Sequence, residues 1–240
     1  MSDALFLAAF GVVKQGDVVA VTGSEARHAV AVKRITVGER ILVADGQGRA
    51  VRGHVVTAAK DRLAMEVTEL LEAPARAHRF VVVQALVKGD RSERAVEVMT
   101  ELGVDEILAW QATRSIVRWH GERAAKSLAK WGVTAREAAK QSRRYRVPEV
   151  RVADTRDVVG RIRAANCALI LHESAEKWLG QVDLPEHGEV LLIVGPEGGI
   201  TPEELRQFQD AGAVPVLISD AVLRASTAGA VALGQLSVLL

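Results

Sequence analysis

Cysteine is almost missing from this chain: Cys167 is the only one in 240 residues. A disulfide framework within the chain and a cysteine-based metal site are therefore excluded. Long apolar runs are missing as well; nothing approaches the ~18 consecutive apolar residues of a membrane span. The first ten residues, Met1-Ser2-Asp3-Ala4-Leu5-Phe6-Leu7-Ala8-Ala9-Phe10, put an acid where a secretion signal needs Lys or Arg. A cytoplasmic protein with no membrane association is expected. The histidines, His28, His54, His78, His120, His172 and His187, show no ligand spacing, so no metal is expected. G-x-x-x-x-G-K-[ST] does not occur, nor does G-x-G-x-x-G after a strand, which disfavours an ATP or nicotinamide enzyme. Nor is there a G-x-S-x-G elbow for a serine nucleophile.

Net charge is only +1, but its distribution is uneven. Residues 114–151 carry eleven basic groups against three acids, while residues 152–240 carry six against twelve. A +8 segment within a neutral chain marks either a polyanion-binding face or a merely solvated helix.

Residues 1–72 read as mostly β. Val18–Thr22 is a β-branched run, and Ile41–Ala44 and Val51–Val56 flank the turn cluster Asp45-Gly46-Gln47-Gly48 as a hairpin. Leu63–Leu70 reads as a further strand, and Ser24–Arg34 as a helix with Ser24 as its N-cap. A small β-barrel is the natural closure of such strands. Ala73-Pro74-Ala75 marks a boundary, giving domains 1–72 and 73–240. Beyond it the rhythm changes. Apolar runs at Phe80–Val87, Glu106–Trp110, Ala168–Leu171, Val190–Val194 and Val214–Ile218 alternate with helical patterns. The helices are expected at Ser92–Leu102, Glu122–Arg144 (Gly132 being a weak point), Arg156–Ala165, Pro202–Ala211 and Ala225–Leu239. Strands apolar on both faces between helices mean an α/β fold with a parallel sheet.

In such a sheet, ligands sit beyond the carboxyl ends of the strands. Those ends are Lys88-Gly89-Asp90, Gln111 to Arg114, His172-Glu173, Gly195-Pro196-Glu197-Gly198-Gly199 and Ser219-Asp220. Three glycines in five residues let a ligand approach the backbone closely. Thr201-Pro202-Glu203-Glu204 then starts a helix. Its two carboxylates repel a phosphate at a helix end that would otherwise attract one, so a cofactor without phosphates fits better. The bland reading of the same residues is a tight strand–helix turn.

These motifs, in this order, resemble those of the bacterial 16S ribosomal RNA uridine-N3 methyltransferases of the SPOUT superfamily. The resemblance covers nearly the whole chain. It is carried by His28, Arg34 and Asp45-Gly46 in the first domain, and by Lys88 with Glu101-Leu102-Gly103-Val104 and Arg114-Ser115 in the second. Ala138-Ala139-Lys140-Gln141-Ser142-Arg143, Val147-Pro148, Leu171-His172-Glu173, Gly195–Gly199 and Leu223-Arg224 complete it. It implies a PUA-like first domain and a catalytic domain whose C-terminal part is tied in a trefoil knot. It implies S-adenosylmethionine as methyl donor, held around Leu171, Val194, Gly195, Pro196, Glu197, Gly198, Gly199, Ile218, Ser219, Leu223, Ser226 and Thr227. The implied substrate is N3 of a uridine, conventionally U1498, in 16S RNA of the small ribosomal subunit, and the implied assembly is a homodimer. RNA contacts are expected from His28, Arg34, Arg114, Arg118, Arg136, Lys140, Gln141, Arg143 and Arg144. Of these, Arg136, Lys140, Arg143 and Arg144 are spaced to share one helical face. Arg224 is the candidate stabiliser of the uridine anion and Glu173 the candidate base. The family commonly carries Glu where this chain has Ser226, so the role of that Glu is not carried over. The apolar last helix, with Val231, Leu233, Leu236, Val238, Leu239 and Leu240, suits either a dimer interface or the core. A methyltransferase with another RNA target and a non-catalytic RNA-binding protein remain as alternatives.

Overall fold

The computed structural model describes residues 3–240. They form two compact units. One comprises the residues up to Ala75 together with Ala139–Val147, the other Arg76–Ala138 together with Pro148–Leu240.

The first unit is a five-stranded sheet of β1 (Ala4–Leu7), β2 (Val18–Thr22), β3 (Arg40–Ala44), β4 (Arg49–Ala59) and β5 (Arg62–Glu72), in the order β1-β3-β4-β5-β2. The edge strand β1, parallel to β3, is an addition to the expected elements; four apolar residues carry no alternation to announce it. The sheet curls far enough that Phe6 of β1 and Val19 and Val21 of β2 share one core with Ile41, Val51, Leu63 and Met65. The β3–β4 turn forms where expected, for a local reason. The Asp45 carboxylate accepts the backbone N–H groups of Gln47 (2.7 Å) and Arg49 (3.0 Å) and pairs with the Arg49 side chain. Gly46 and Gly48 take the left-handed φ values of 79° and 115°. Tyr145 and Val147 cover the other face of the sheet, over Leu5, Leu7 and Leu42. Ser24 is not an N-cap: α1 (Gly23–Arg27) starts after Thr22, has no side-chain cap, and continues as a π-helical turn at His28–Val32.

The second unit is a six-stranded parallel sheet with helices on both faces. Its strands are β6 (His78–Ala85), β7 (Glu106–Trp110), β8 (Glu149–Ala153), β9 (Cys167–Leu171), β10 (Gly188–Val194) and β11 (Val214–Val216), ordered β11-β9-β10-β6-β7-β8. The helices are α2 (Arg91–Glu101), α3 (Gly121–Gln141, its last three residues counted with the first unit), α4 (Thr155–Ala164), α5 (Pro202–Asp210) and α6 (Ala225–Leu239). Val81, Val83, Leu191 and Ile193 meet Val158 and Ile162 of α4 and Phe208 of α5 on one face. On the other face α6 packs against α2, β6 and β10. A Cβ at Gly229 would lie 2.8 Å from the Met99 sulfur, so the small residue sets that close approach. Burial from both sides is why these strands read as continuous apolar runs. The edge strand β8, Glu-Val-Arg-Val-Ala, is mostly exposed and lacks that signal. α3 runs unbroken through Gly132, where an added Cβ would meet nothing within 4 Å.

One expected helix boundary is corrected, and the choice left open for the last helix is resolved for its inner residues. α3 stops at Gln141 rather than reaching Arg144, because Arg143 takes a left-handed φ of 57°. Leu233 and Leu236 are fully buried within the chain, so they belong to its core; the exposed apolar residues of this region are Val238, Leu239 and Leu240.

Candidate active site

The strand order reverses direction between β10 and β6. From β6 the chain steps outward through β7 and β8; from β10 it continues to β11 on the far side of β9. A crevice at the carboxyl ends of the strands is expected at such a point, and a cavity of about 770 Å³ lies there. Its wall contains Leu171 at the end of β9, Val194 at the end of β10 with the loop to Ile200, Ile218 and Ser219 after β11, and Leu223 to Ser226 at the start of α6. The structure thus gathers the residues the resemblance singled out, except Thr227, which is exposed and outside the wall. Arg224 and Glu173 also line the cavity, and both are exposed. Sequence reasoning placed His172 and Asp220 at strand ends without giving them a role, and missed Val87, Arg91, Ile200 and Leu205 of the wall. Their signal was position alone, since each lies at or just after a strand end or in the helix that follows.

The glycine loop is held in place by two bonds from outside itself. Arg114 Nη1 donates to the Gly198 carbonyl at 3.2 Å, and Glu197 accepts the Lys88 backbone N–H at 3.3 Å. A Cβ at Gly198 would come within 3.2 Å of Arg114 Cβ and 3.3 Å of its carbonyl oxygen. Glycine there lets two loops close on each other. Gly199 has φ +73°, a left-handed turn that hands the chain to α5. His172 Nδ1 accepts the Ser174 N–H at 3.2 Å, so a neutral ring carries its proton on Nε2.

Glu204 does more than start α5. Its carboxylate accepts the Thr201 N–H and hydroxyl at 3.1 and 2.8 Å, and the Thr113 N–H at 2.8 Å. It therefore ties the loop after β7 to the helix after the glycine loop. Burial alone would raise its pKa, but the hydrogen bonds from Thr113 and Thr201 outweigh burial and hold the carboxyl below the ordinary 4.5. A depressed folded-state value means the stabilisation is fully present above that ordinary pH and is lost as pH falls below it. Glu204→Gln is expected to lose about 1.5–3 kcal/mol at neutral pH, the worth of a hydrogen bond to a charged group. The gap to the wild type should shrink as acid protonates Glu204. Thermal melts from neutral to acid pH check this; a gap independent of pH would refute it.

The remaining candidates do not all converge. Arg118 donates to the carbonyls of Ala112 (3.2 Å) and Thr113 (2.6 Å), closing its own loop. Lys140 is buried, and its Nζ lies 3.1 Å from Glu25. That corrects its place on a phosphate-binding face: a buried, ion-paired ammonium is not presented to RNA. Arg143 and Arg144 lie beyond the helix end, so they do not share one helical face with Arg136. Arg136 is half-buried, Gln141 and Arg34 are exposed, and His28 is half-buried in the π-helical turn. Among the described residues no cluster of His, Cys, Asp or Glu could hold a metal, and no helix is long and apolar enough to cross a membrane.

Comparison with known proteins agrees with this architecture. Residues 74–237 match the RNA methyltransferase domain family, and residues 21–67 match the RNA methyltransferase PUA domain. A Mycobacterium bovis protein named ribosomal RNA small subunit methyltransferase E is 44% identical over 229 residues, covering 93% of this chain and 87% of the relative. The Bacillus subtilis protein of the same name is 28% identical over 238 residues, covering 94% and 91%. The crystal structure of the Neisseria gonorrhoeae enzyme of that name, bound to S-adenosyl methionine, superposes with a TM-score of 0.90. It is 28% identical and covers 99% of this chain and 98% of its own. With a PUA domain preceding a parallel-sheet catalytic domain, this chain belongs to the RNA methyltransferase family.

Proposed function

We propose that this protein transfers a methyl group from S-adenosylmethionine to N3 of a uridine in 16S ribosomal RNA of the small subunit. The observation that carries this is the cavity at the strand-order reversal, which gathers the glycine loop, the β11 loop and the start of α6. Its composition suits this donor. Leu171, Val194, Ile218 and Leu223 offer apolar wall to an adenosine, while Glu173, Glu197 and Asp220 suit a ligand with an ammonium and a sulfonium. The acidic first turn of α5, with Glu203 and Glu204, suits a cofactor that has no phosphate. Leu171, Val194 to Gly199, Ile218, Ser219, Leu223 and Ser226 are the proposed donor-binding residues; Thr227, outside the wall, is left out.

S-adenosylmethionine, when bound, supplies an electrophilic methyl group. The chain's own part is to orient the base and to manage its proton. Orientation alone supplies as much as ~7–11 kcal/mol of a barrier. Arg224, at the start of α6, stabilises the negative charge that grows on the uridine ring as the N3 proton leaves. Glu173 is the proton acceptor. Ser226, a hydroxyl in the first turn of α6, takes no part as a base. RNA is contacted by Arg114 at the cavity and by His28, Arg34, Gln141, Arg143 and Arg144 of the first unit.

The knot follows from the same reading. Two features support it: the backbone at Lys177 and Leu179, in the β9–β10 connection, bonds to Leu217, and Gln235 of α6 donates to the Ile218 carbonyl at 2.8 Å. The assembly is a homodimer in the cytoplasm, with exposed Val238, Leu239 and Leu240 as apolar surface for a partner. Light scattering should give about twice the 25.8 kDa of one chain; the mass of a single chain would reject the dimer. The reaction is tested by mapping methylated nucleotides in small-subunit RNA from cells lacking the protein. One uridine should lose its N3 methyl group and regain it with purified protein and donor. An unchanged map would overturn the assignment.

A further inference from the structure

Three arginines line the cavity: Arg91, Arg114 and Arg224. All are exposed, and none has an ion-pair partner among the described residues. Arg91 has no role in the reading above. It is the first residue of α2, where the unpaired N–H groups of the helix start already carry partial positive charge, so a cation there is locally disfavoured. The acid of that first turn, Glu93, is bound to Lys130 at 2.7 Å instead. Asp90, at the N-cap position, makes neither a side-chain cap nor an ion pair with Arg91. An unneutralised guanidinium at a positive helix end, facing a cavity, gains from an anion on both counts.

We propose that Arg91 is a substrate-binding residue that holds a phosphodiester of the RNA strand entering the cavity. A phosphodiester suits it better than the carboxylate of the methyl donor. Three separate guanidinium groups exceed what one carboxylate occupies, whereas an RNA strand brings a phosphate on each side of the target nucleotide. The assignment rests on the RNA-modifying reading given above.

The test compares wild type, Arg91→Ala and Arg91→Lys on a short RNA containing the target uridine. RNA affinity is measured without donor across a salt series, S-adenosylmethionine affinity by calorimetry, and KM and kcat at saturating donor. In Arg91→Ala, RNA Kd and KM should rise about tenfold, and the slope of log affinity against log salt should flatten by about 0.7–0.9. Donor affinity should stay at the wild-type value, and Arg91→Lys, which keeps the charge, should recover most of the RNA affinity. Wild-type RNA affinity and slope in Arg91→Ala would overturn the assignment. So would weakened donor binding with unchanged RNA binding, which would make Arg91 a partner of the donor carboxylate. The RNA measurement does not depend on turnover. A wild type that binds RNA with an Arg91-dependent slope yet transfers no methyl would overturn the proposed reaction and support Arg91 as a phosphate ligand.

Discussion

Arg224→Ala is expected to lower methyl transfer about 10²–10³-fold, the usual cost of removing one preorganised stabiliser of developing charge. Protein stability and donor affinity should hardly change. The reason lies in how Arg224 is placed. Its backbone carbonyl accepts the N–H groups of Thr227 (2.8 Å) and Ala228 (2.9 Å), so the start of α6 depends on its main chain. Its side chain makes no hydrogen bond among the described residues and is exposed at the cavity. Truncation therefore removes charge from the site without taking a partner from the fold. The loss should appear in kcat more than in KM for RNA, because the interaction strengthens only as the N3 proton leaves. Ser226→Ala, two residues on, should retain much of the activity. Transfer by Arg224→Ala within about threefold of wild type, against the loss expected of such a group, would remove Arg224 from the chemistry.

Lys140→Ala should cost about 3–5 kcal/mol of stability in the first unit, the range for breaking a buried ion pair from one side. The Lys140 side chain is 6% exposed and that of Glu25 13%. Glu25 also accepts the backbone N–H of Leu7 at 3.1 Å, so it holds edge strand β1 as well as the lysine. Without Lys140 that half-buried carboxylate is left beside a single neutral donor. Combining Lys140→Met with Glu25→Gln should recover most of the loss, since the charges leave together and the amide oxygen can still accept from Leu7. Denaturant unfolding measures both variants. A folded Lys140→Ala protein with wild-type stability and weakened RNA binding would reverse the assignment and return Lys140 to a phosphate-binding surface.

The catalytic sheet was legible in sequence because burial on both faces writes itself as runs of Val, Ile and Leu. β7 and α6 fall on the residues expected, Glu106–Trp110 and Ala225–Leu239. The same logic pointed to the strand ends where the cavity lies. β1 and β8 escaped because neither carries a pattern that separates it from a loop: one is four residues long, the other an exposed edge. The basic segment shows the sharper limit. Composition counts charges, and spacing predicts which of them share a face only while the helix lasts. A left-handed φ at Arg143 ends that geometry, and the half-buried carboxylate of Glu25, 115 positions earlier in the chain, claims Lys140. The sequence by itself determined the periodicity, the order of strands and helices, and the glycine and proline punctuation, because these depend on near neighbours. Only the tertiary structure decided that Glu204 ties the loop after β7 to the start of α5, that Leu236 is core, and that Arg91 and Arg224 line one cavity. Each of those depends on which distant residue arrives to accept a hydrogen bond, cover an apolar side chain or leave a charge unpaired.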